Sequence, residues 1–181
     1  MGKQSLSRDE LLAILAAARA KRERDWLMIL VAFAHGLRAT EVIRLTRDNF
    51  RDGFLDLQRL KGSNRTVQPL VDDADPLLDE QKGVLEYVAK FAPDQRLFKV
   101  GRQHFWRLVQ RYGEAAGLAA HKRHPHALKH SIAMQTIHAA GIEHVRQYLG
   151  HKSMSSTGEY LKVTDEDAAR AVGKAVKGLK S

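Results

Sequence analysis

Apolar residues recur at helical spacing over most of the chain and alternate over one short stretch. Residues 7–10, SRDE, have the pattern of a helix N-cap with a Glu that reaches back to it. The helix behind this cap places the following apolar side chains on one face: Leu11, Leu12, Ile14, Leu15 and Ala18. A second apolar helix is predicted over 25–35, ending at Gly36, and a short third helix over 37–45.

The alternating stretch predicts a β-hairpin. Residues 53–60, GFLDLQRL, put Leu55 and Leu57 on the same side of a strand, and residues 65–70 also have extended character. Between them, residues 61–64 have the composition of a turn.

The rest of the chain is predicted to be mainly helical. Pro69 indicates that the second hairpin strand is an edge strand, and residues 95–100 are predicted as a third strand. The acidic stretch over residues 71–80 is predicted as a loop that leads into a helix, with Pro76 near the first turn of that helix, and further helices are predicted at about 102–116, 126–140, 142–149, 153–162 and 165–179. We therefore expect an α+β fold, mainly helical, with a small antiparallel three-stranded sheet.

Composition narrows the class of protein. The chain has 181 residues, 30 Lys and Arg against 21 Asp and Glu, and a net charge of +9. It has no cysteine, which excludes a disulfide scaffold, a thiol nucleophile and cysteine-ligated metal sites. It also has no run of about 18 apolar residues and no apolar signal core at the N-terminus, so we expect a cytoplasmic protein.

The positive charge is segregated along the chain. Residues 71–100 carry 4 basic and 7 acidic side chains, whereas residues 101–162 carry 9 basic and 3 acidic ones. Five histidines also fall between 101 and 130. This segregation favours a surface that binds phosphates, although charge alone leaves a merely basic surface as an equal alternative.

Four short motifs carry candidate chemistry. The first is HGLRATEV, which contains Arg38 and Glu41. The second is Lys61 in the hairpin turn, and the third is HPHALKHS over residues 124–131. The fourth is Leu-Gly-His, ending at His151 and followed nine residues later by Tyr160. Each motif is weak alone, but their order and spacing are specific.

Together these motifs resemble the catalytic domain of the tyrosine recombinases, the phage integrase family. That family has an Arg in a Gly-Leu-Arg-x-x-Glu box, a hairpin Lys, a His-x-Leu-Arg-His box, a Leu-Gly-His box and a Tyr about nine residues further on. The match runs from about Ser7 to Val163. In its first and third motifs, its short hairpin and its short length, the chain is most similar to the small fimbrial phase-switching recombinases.

The resemblance implies a role for each matched residue. Tyr160 is expected to attack a DNA phosphorus and form a 3′-phosphotyrosyl bond. Arg38 and His151 are expected to bind the non-bridging phosphate oxygens, and Lys61 to protonate the leaving 5′-oxygen. No metal or cofactor is expected, because cationic side chains supply the electrostatic stabilisation.

Three further residues complete the expected site. His126 is expected to assist proton transfer near the nucleophile, and Glu41 to orient a basic side chain without reacting. Lys129 stands where the family has a second arginine. Lysine keeps the charge but loses the two-pronged donor of a guanidinium, and the loss of one such donor costs on the order of 10²–10³ in rate.

Three other interpretations stay open. Lys129 raises the alternative of a DNA-binding regulator or accessory protein whose cleavage is weak or lost. A type IB topoisomerase would share the chemistry. The histidines at 121, 124, 126 and 130 suggest a zinc site, but the chain lacks both an HExxH motif and cysteine.

The resemblance also predicts organisation and partners. We expect residues 1–181 to form a single catalytic domain without an N-terminal core-binding domain. The expected partners are double-stranded DNA and other protomers, as a tetramer on DNA and a monomer in free solution. Residues 165–179 are predicted to pack into a neighbouring protomer, and the protein is expected to be bacterial or phage-derived and nucleoid-associated.

Overall fold

The computed structural model describes residues 5–60, 63–150 and 152. Its elements, in chain order, are α1 (Arg8–Arg19), α2 (Glu23–Ala34), α3 (Ala39–Val42), a 3₁₀ turn (Arg47–Asn49), β1 (Phe50–Arg51), β2 (Phe54–Leu57), β3 (Thr66–Pro69), α4 (Glu80–Val88), α5 (Arg102–Ala115), a 3₁₀ turn (Ala120–Lys122), α6 (Pro125–Ala140) and α7 (Ile142–Tyr148). The predicted helices over 153–162 and 165–179 lie outside the described residues.

The first helix begins as its sequence predicts. The Ser7 hydroxyl accepts a hydrogen bond from the Glu10 backbone N–H at 3.2 Å, and the Glu10 carboxylate accepts one from the Ser7 backbone N–H at 2.8 Å. This reciprocal cap satisfies two backbone donors that a helix start otherwise leaves unpaired. Its apolar face then packs against α2 and α5.

The centre of the core is α2. Every residue from Asp25 to Ala34 on this helix is buried. A helix that is apolar on all sides is stable only when other elements surround it, and α2 packs against α1, α3, α4 and α6. The C-terminal end of α2, from which the first candidate motif continues, is therefore fixed on several sides.

The sheet is antiparallel with the order β1-β2-β3. Strands β2 and β3 form the predicted hairpin, and Pro69 on the edge strand β3 lies opposite Phe54. The missing N–H of a proline costs least on such an edge. The predicted α+β fold with a three-stranded antiparallel sheet is therefore confirmed.

The third strand is not the predicted one. Residues 50–51 pair with β2 through a tight turn at Asp52 and Gly53, which have φ angles of 52° and 78°. An Asp-Gly pair favours this type of turn because both positions need a positive φ. Residues 95–100 contribute a single isolated bridge, between Thr46 and Arg96. Leu97 and Phe98 are instead buried in the core.

The helices α6 and α7 close the fold against α2. Gly141, with a φ of 89°, separates them, and α7 ends at Tyr148, whose hydroxyl donates to the Ala34 carbonyl at 2.6 Å. This bond joins the end of α7 to the end of α2. Across the described part of the chain, no helix is long and apolar enough to cross a membrane.

Candidate active site

Arg38 lies between α2 and α3, in extended backbone just before α3 begins. Its guanidinium Nη1 lies 3.2 Å from Glu41 Oε1 and 3.4 Å from Ser63 Oγ. The Arg38 side chain is 40% exposed, whereas the Glu41 side chain is 1% exposed. A buried carboxylate therefore holds the arginine from behind and leaves part of the guanidinium accessible to an anion.

Gly36 allows the close packing that brings this segment to the site. Its φ is +56°, and a β-carbon here would collide with the side chain of Leu149. Only glycine fits both the left-handed backbone and the close approach. Leu149, the residue after α7, therefore packs directly against the turn that leads to Arg38.

Glu41 is the organising carboxylate of this region. Its two oxygens accept from the backbone N–H of Arg38 at 2.7 Å and from the backbone N–H of Leu60 at 3.1 Å. Burial alone would raise the pKa of Glu41, but these two hydrogen bonds and the charges of Arg59 and Lys129 outweigh it and lower the pKa. Glu41 is therefore ionised at neutral pH.

Lys129 points into the same region from the buried face of α6. Its residue is 5% exposed, and within residues 5–60 and 63–150 its Nζ has no hydrogen-bond partner. Burial lowers the pKa of Lys129 to about 8, the positive charges of Arg38 and Arg59 add to this effect, and Glu41 opposes it. A buried ammonium without a partner is costly unless an anion arrives to pair with it.

Arg59 completes the cluster, although it lies outside the four motifs. Its side chain is 1% exposed and its Nη1 lies 3.5 Å from Glu41 Oε2. The signal for its burial was present, because period-two alternation puts residue 59 on the same side as Leu55 and Leu57. Among the described residues, the three cations Arg38, Arg59 and Lys129 thus lie around the carboxylate of Glu41, which leaves two positive charges in excess there.

Three expected site residues, Lys61, His151 and Tyr160, lie outside the described residues. The described neighbours of the first two come together: the backbone N–H of Asn64 donates to the Gly150 carbonyl at 2.7 Å. Gly150 has a φ of +69°, and a β-carbon there would lie 2.9 Å from the Asn64 carbonyl oxygen. The hairpin connection thus contacts the backbone immediately before position 151.

His126 lies in the first turn of α6 and is exposed. It borders a cavity of about 630 Å³ that reaches from α6 to the first turn of α3 and across to α5. Other residues of this cavity are Ala39, Arg102, Gln103, Trp106 and Arg107. Trp106 is 49% exposed, so the cavity combines an aromatic surface with two guanidinium groups, and it includes Ala39, the residue after Arg38.

The histidines do not form a metal site with other ligands in the part of the chain that the structure describes. No three His, Asp or Glu side chains there lie close enough to hold one ion. The rings of His124 and His126 stack with their centroids 6.3 Å apart. His124 also accepts from the backbone N–H of Ala127, which makes it the N-cap of α6.

The buried ammonium of Lys129 predicts a specific dependence of stability on pH. Its pKa is about 8 in the folded chain and about 10.5 in the unfolded chain. Between these values the unfolded chain binds the proton that the folded chain has lost, so the free energy of unfolding should rise with pH, by about 1–3 kcal/mol. Below the lower value both states are protonated, and the rise should be absent.

Lys129→Met provides the matched control for this prediction, because it keeps the length of the side chain and removes the titration. Denaturant unfolding at pH 7, 8, 9 and 10 should show the rise in the unsubstituted chain relative to Lys129→Met. An identical pH dependence in the two chains would contradict the prediction.

Comparison with known proteins identifies the class. The model of the phage integrase family matches residues 4–167. The chain therefore belongs to the phage integrase family, as its motifs predict. The finer likeness to fimbrial phase-switching recombinases stays a prediction.

Individual relatives agree with this assignment. The chain is 30% identical over 179 residues to the tyrosine recombinase XerA of Thermococcus kodakarensis, in a match that covers 95% of this chain and 62% of that protein. The chain thus spans less than two thirds of the length of this relative.

Solved structures confirm the fold. The crystal structure of XerA recombinase matches with a TM-score of 0.73 at 20% identity and covers 94% of this chain and 62% of that chain. A lambda integrase dimer bound to a COC′ core site matches with a TM-score of 0.68 at 22% identity, over 89% of this chain and 49% of that chain. The expected tyrosine-recombinase catalytic fold is confirmed.

Proposed function

We propose that this chain is the catalytic domain of a site-specific DNA recombinase, which breaks and rejoins DNA strands through a phosphotyrosyl intermediate at Tyr160. The observation that carries the proposal is the cluster of three cations around Glu41, with the guanidinium of Arg38 partly exposed beside it. Such a cluster suits a phosphodiester, whose charge grows in the transition state of phosphoryl transfer.

The reaction needs no external energy source. The Tyr160 oxygen attacks the phosphorus and forms a P–O bond, while the bond from phosphorus to the 5′-oxygen breaks. His126 assists the removal of the phenolic proton, and Lys61 gives a proton to the departing 5′-oxygen. One phosphodiester is exchanged for another, so the 5′-hydroxyl of a second strand can reverse the step and rejoin the DNA.

The cationic groups differ in what they supply. Arg38 presents a planar pair of donors to two non-bridging oxygens, and His151 donates to the phosphate as well. Lys129 offers one donor in place of the family's second guanidinium. Glu41 fixes Arg38 through its side chain and its backbone N–H together.

The proposed partners follow from this reaction. Duplex DNA would lie over the cavity bordered by Arg102, Trp106 and Arg107, next to Arg38. Paired sites require several protomers, so we propose a monomer in free solution, a tetramer on DNA, and exchange of residues 165–179 between neighbours. We assign residues 1–181 to a single catalytic domain that acts in the cytoplasm, at the nucleoid.

Lys129 also favours a second candidate function. The ammonium of Lys129 lacks the planar pair of parallel donors that a guanidinium presents to a phosphate, and its pKa of about 8 makes its charge less secure than that of an arginine. A chain that keeps the fold and binds DNA but cleaves too slowly to recombine would act as a regulator or accessory protein. The retained Arg38, Lys61, His151 and Tyr160 favour the enzyme.

A trapping assay on nicked DNA separates these functions. The probe is a library of nicked duplexes with a randomised core, from which a short strand diffuses away after cleavage so that the covalent adduct accumulates. The unsubstituted chain should give an adduct on denaturing gels, and Lys129→Arg should give it faster. Sequencing of the trapped DNA reports the site preference.

Each remaining outcome has one meaning. An adduct with Lys129→Arg alone supports the regulator, and no adduct with either chain rejects strand cleavage. An adduct without sequence preference, together with relaxation of supercoiled plasmid, supports a type IB topoisomerase instead.

A further inference from the structure

Arg59 is a buried charge with contacts to several separate segments. Its Nε donates to Thr66 Oγ1 at 2.9 Å, and its Nη2 donates to the His35 carbonyl at 2.8 Å and to Gln68 Oε1 at 3.2 Å. Weaker contacts at 3.5 Å reach Glu41 Oε2 and the carbonyl of Tyr148. One planar group thus contacts β3, the end of α2, α3 and the end of α7.

These contacts fall on the segments that lead to the candidate catalytic residues. The His35 carbonyl lies three residues before Arg38, at the end of α2. Arg59 itself lies two residues before Lys61, and the Tyr148 carbonyl lies three residues before His151. The guanidinium therefore joins the backbone of three segments, each of which carries one expected phosphate ligand or proton donor.

A buried side-chain amide supports the guanidinium. Gln68 accepts from Arg59 with Oε1 and donates from Nε2 to the Tyr148 carbonyl at 2.7 Å. Its Oε1 also faces His35 Nδ1 at 2.9 Å, which therefore carries the hydrogen. Both Gln68 and His35 are buried, so these bonds form without competition from water.

The network ends on α4. His35 Nε2 lies 2.8 Å from Glu80 Oε1, and both side chains are fully buried. The other oxygen of Glu80 accepts from the Val71 backbone N–H at 3.0 Å, two residues after β3. The buried polar side chains of Gln68, His35 and Glu80 thus lie behind Arg59, and any rotation of its guanidinium would leave buried groups unpaired.

Lysine cannot replace this group. An ammonium donates along three directions from one nitrogen, whereas the guanidinium donates from three nitrogens held in one plane. Arg59 Nε donates to Thr66 on β3, and Nη2 donates to the His35 carbonyl at the end of α2. The rigid guanidinium therefore sets the distance between these two segments. A charge-preserving substitution should therefore keep the charge and lose the spacing.

We infer that Arg59 is a positioning residue for strand cleavage: its buried guanidinium fixes the spacing of the backbone segments that precede Arg38, Lys61 and His151. The inference rests on the proposed function for its effect on the reaction. The fixation of the segments, however, is a property of the protein alone and can be measured without DNA.

The first measurement is hydrogen exchange on Arg59→Lys, with Arg51→Lys as the matched control. Arg51 lies on β1 of the same sheet, and its side chain is 67% exposed. In Arg59→Lys the amides of Leu60 and Asn64, bonded to Glu41 and Gly150, should exchange at least tenfold faster. Amides in the middle of α2 should keep their protection, and Arg51→Lys should change neither set.

The second measurement is cleavage in a single turnover, set against DNA affinity. On the trapped DNA pool, Arg59→Lys should cleave on the order of 10²-fold more slowly, because a displacement of about 1 Å at reacting groups costs that much. Its affinity for an intact random 30-bp duplex, measured by fluorescence anisotropy, should stay within about twofold, because Arg59 is buried and contacts no phosphate.

A milder variant covers the case in which Arg59→Lys does not fold. Thr66→Val keeps the shape and removes the acceptor of Arg59 Nε, and it should give the same pattern with a smaller size, about threefold faster exchange and about tenfold slower cleavage, because one hydrogen bond is lost. Unchanged exchange at Leu60 and Asn64 overturns the inference, and so does faster exchange with normal cleavage. If the unsubstituted chain forms no adduct, the proposed function fails, while exchange still decides whether Arg59 fixes the segments.

Discussion

Tyr160→Phe should form no covalent adduct with nicked DNA under conditions in which the unsubstituted chain does. The substitution removes only the hydroxyl oxygen, and a phenyl ring has no atom that can attack phosphorus. Loss of a nucleophile of this kind typically lowers the rate by a factor on the order of 10⁴ or more. DNA affinity should stay unchanged, because the ring and the cationic side chains are retained.

A second tyrosine makes the experiment specific. Tyr87 is half-buried on α4, and its hydroxyl donates to the Leu97 carbonyl at 3.4 Å. We assign it no role in cleavage. Tyr87→Phe should form the adduct at the normal rate. Peptide mapping of the unsubstituted adduct should place the DNA on Tyr160, and an adduct on any other residue would falsify the proposed nucleophile.

Arg38→Lys should cleave on the order of 10²–10³-fold more slowly than the unsubstituted chain. The substitution keeps the charge but cannot bind two phosphate oxygens in one plane. The fold should survive, because Glu41 retains the backbone N–H groups of Arg38 and Leu60 and the contact with Arg59. Single-turnover cleavage and thermal unfolding of the same preparation measure the two effects separately.

Arg44→Lys is the control for this result. Arg44 follows α3 and is exposed. The control therefore makes the same Arg-to-Lys substitution a few residues away from the candidate site. Its cleavage rate should match that of the unsubstituted chain. Equal cleavage rates for Arg38→Lys and Arg44→Lys would show that Arg38 does not bind the phosphate.

Local patterns in the sequence predicted much of the fold. The Ser7–Glu10 cap, the β2–β3 hairpin and Pro69 on an edge depend on signals within a few residues, and all three are present. The third strand was predicted wrongly because residues 95–100 have extended character but bury Leu97 and Phe98 in the core. The Asp52-Gly53 turn was the better local signal for the partner of β2.

The candidate site was likewise predictable only where its contacts are local in sequence. The family resemblance and the three-residue spacing from Arg38 predict that Glu41 orients a basic side chain; Glu41 contacts both Arg38 and Arg59, and its role in orientation stays a prediction. The pairing of His35 with Glu80 joins positions 45 residues apart, and nothing near either residue indicates the other. Buried polar networks of this kind depend on tertiary packing, so periodicity and motif spacing do not reveal them.

The contact between Gly150 and Asn64 has a mechanical consequence. Two backbones meet there with no side chain between them, and one hydrogen bond of 2.7 Å spans the contact. A side chain at position 150 would separate the two backbones, so an alanine there would be expected to break the bond from Asn64 and to loosen the hairpin connection from the end of α7 together.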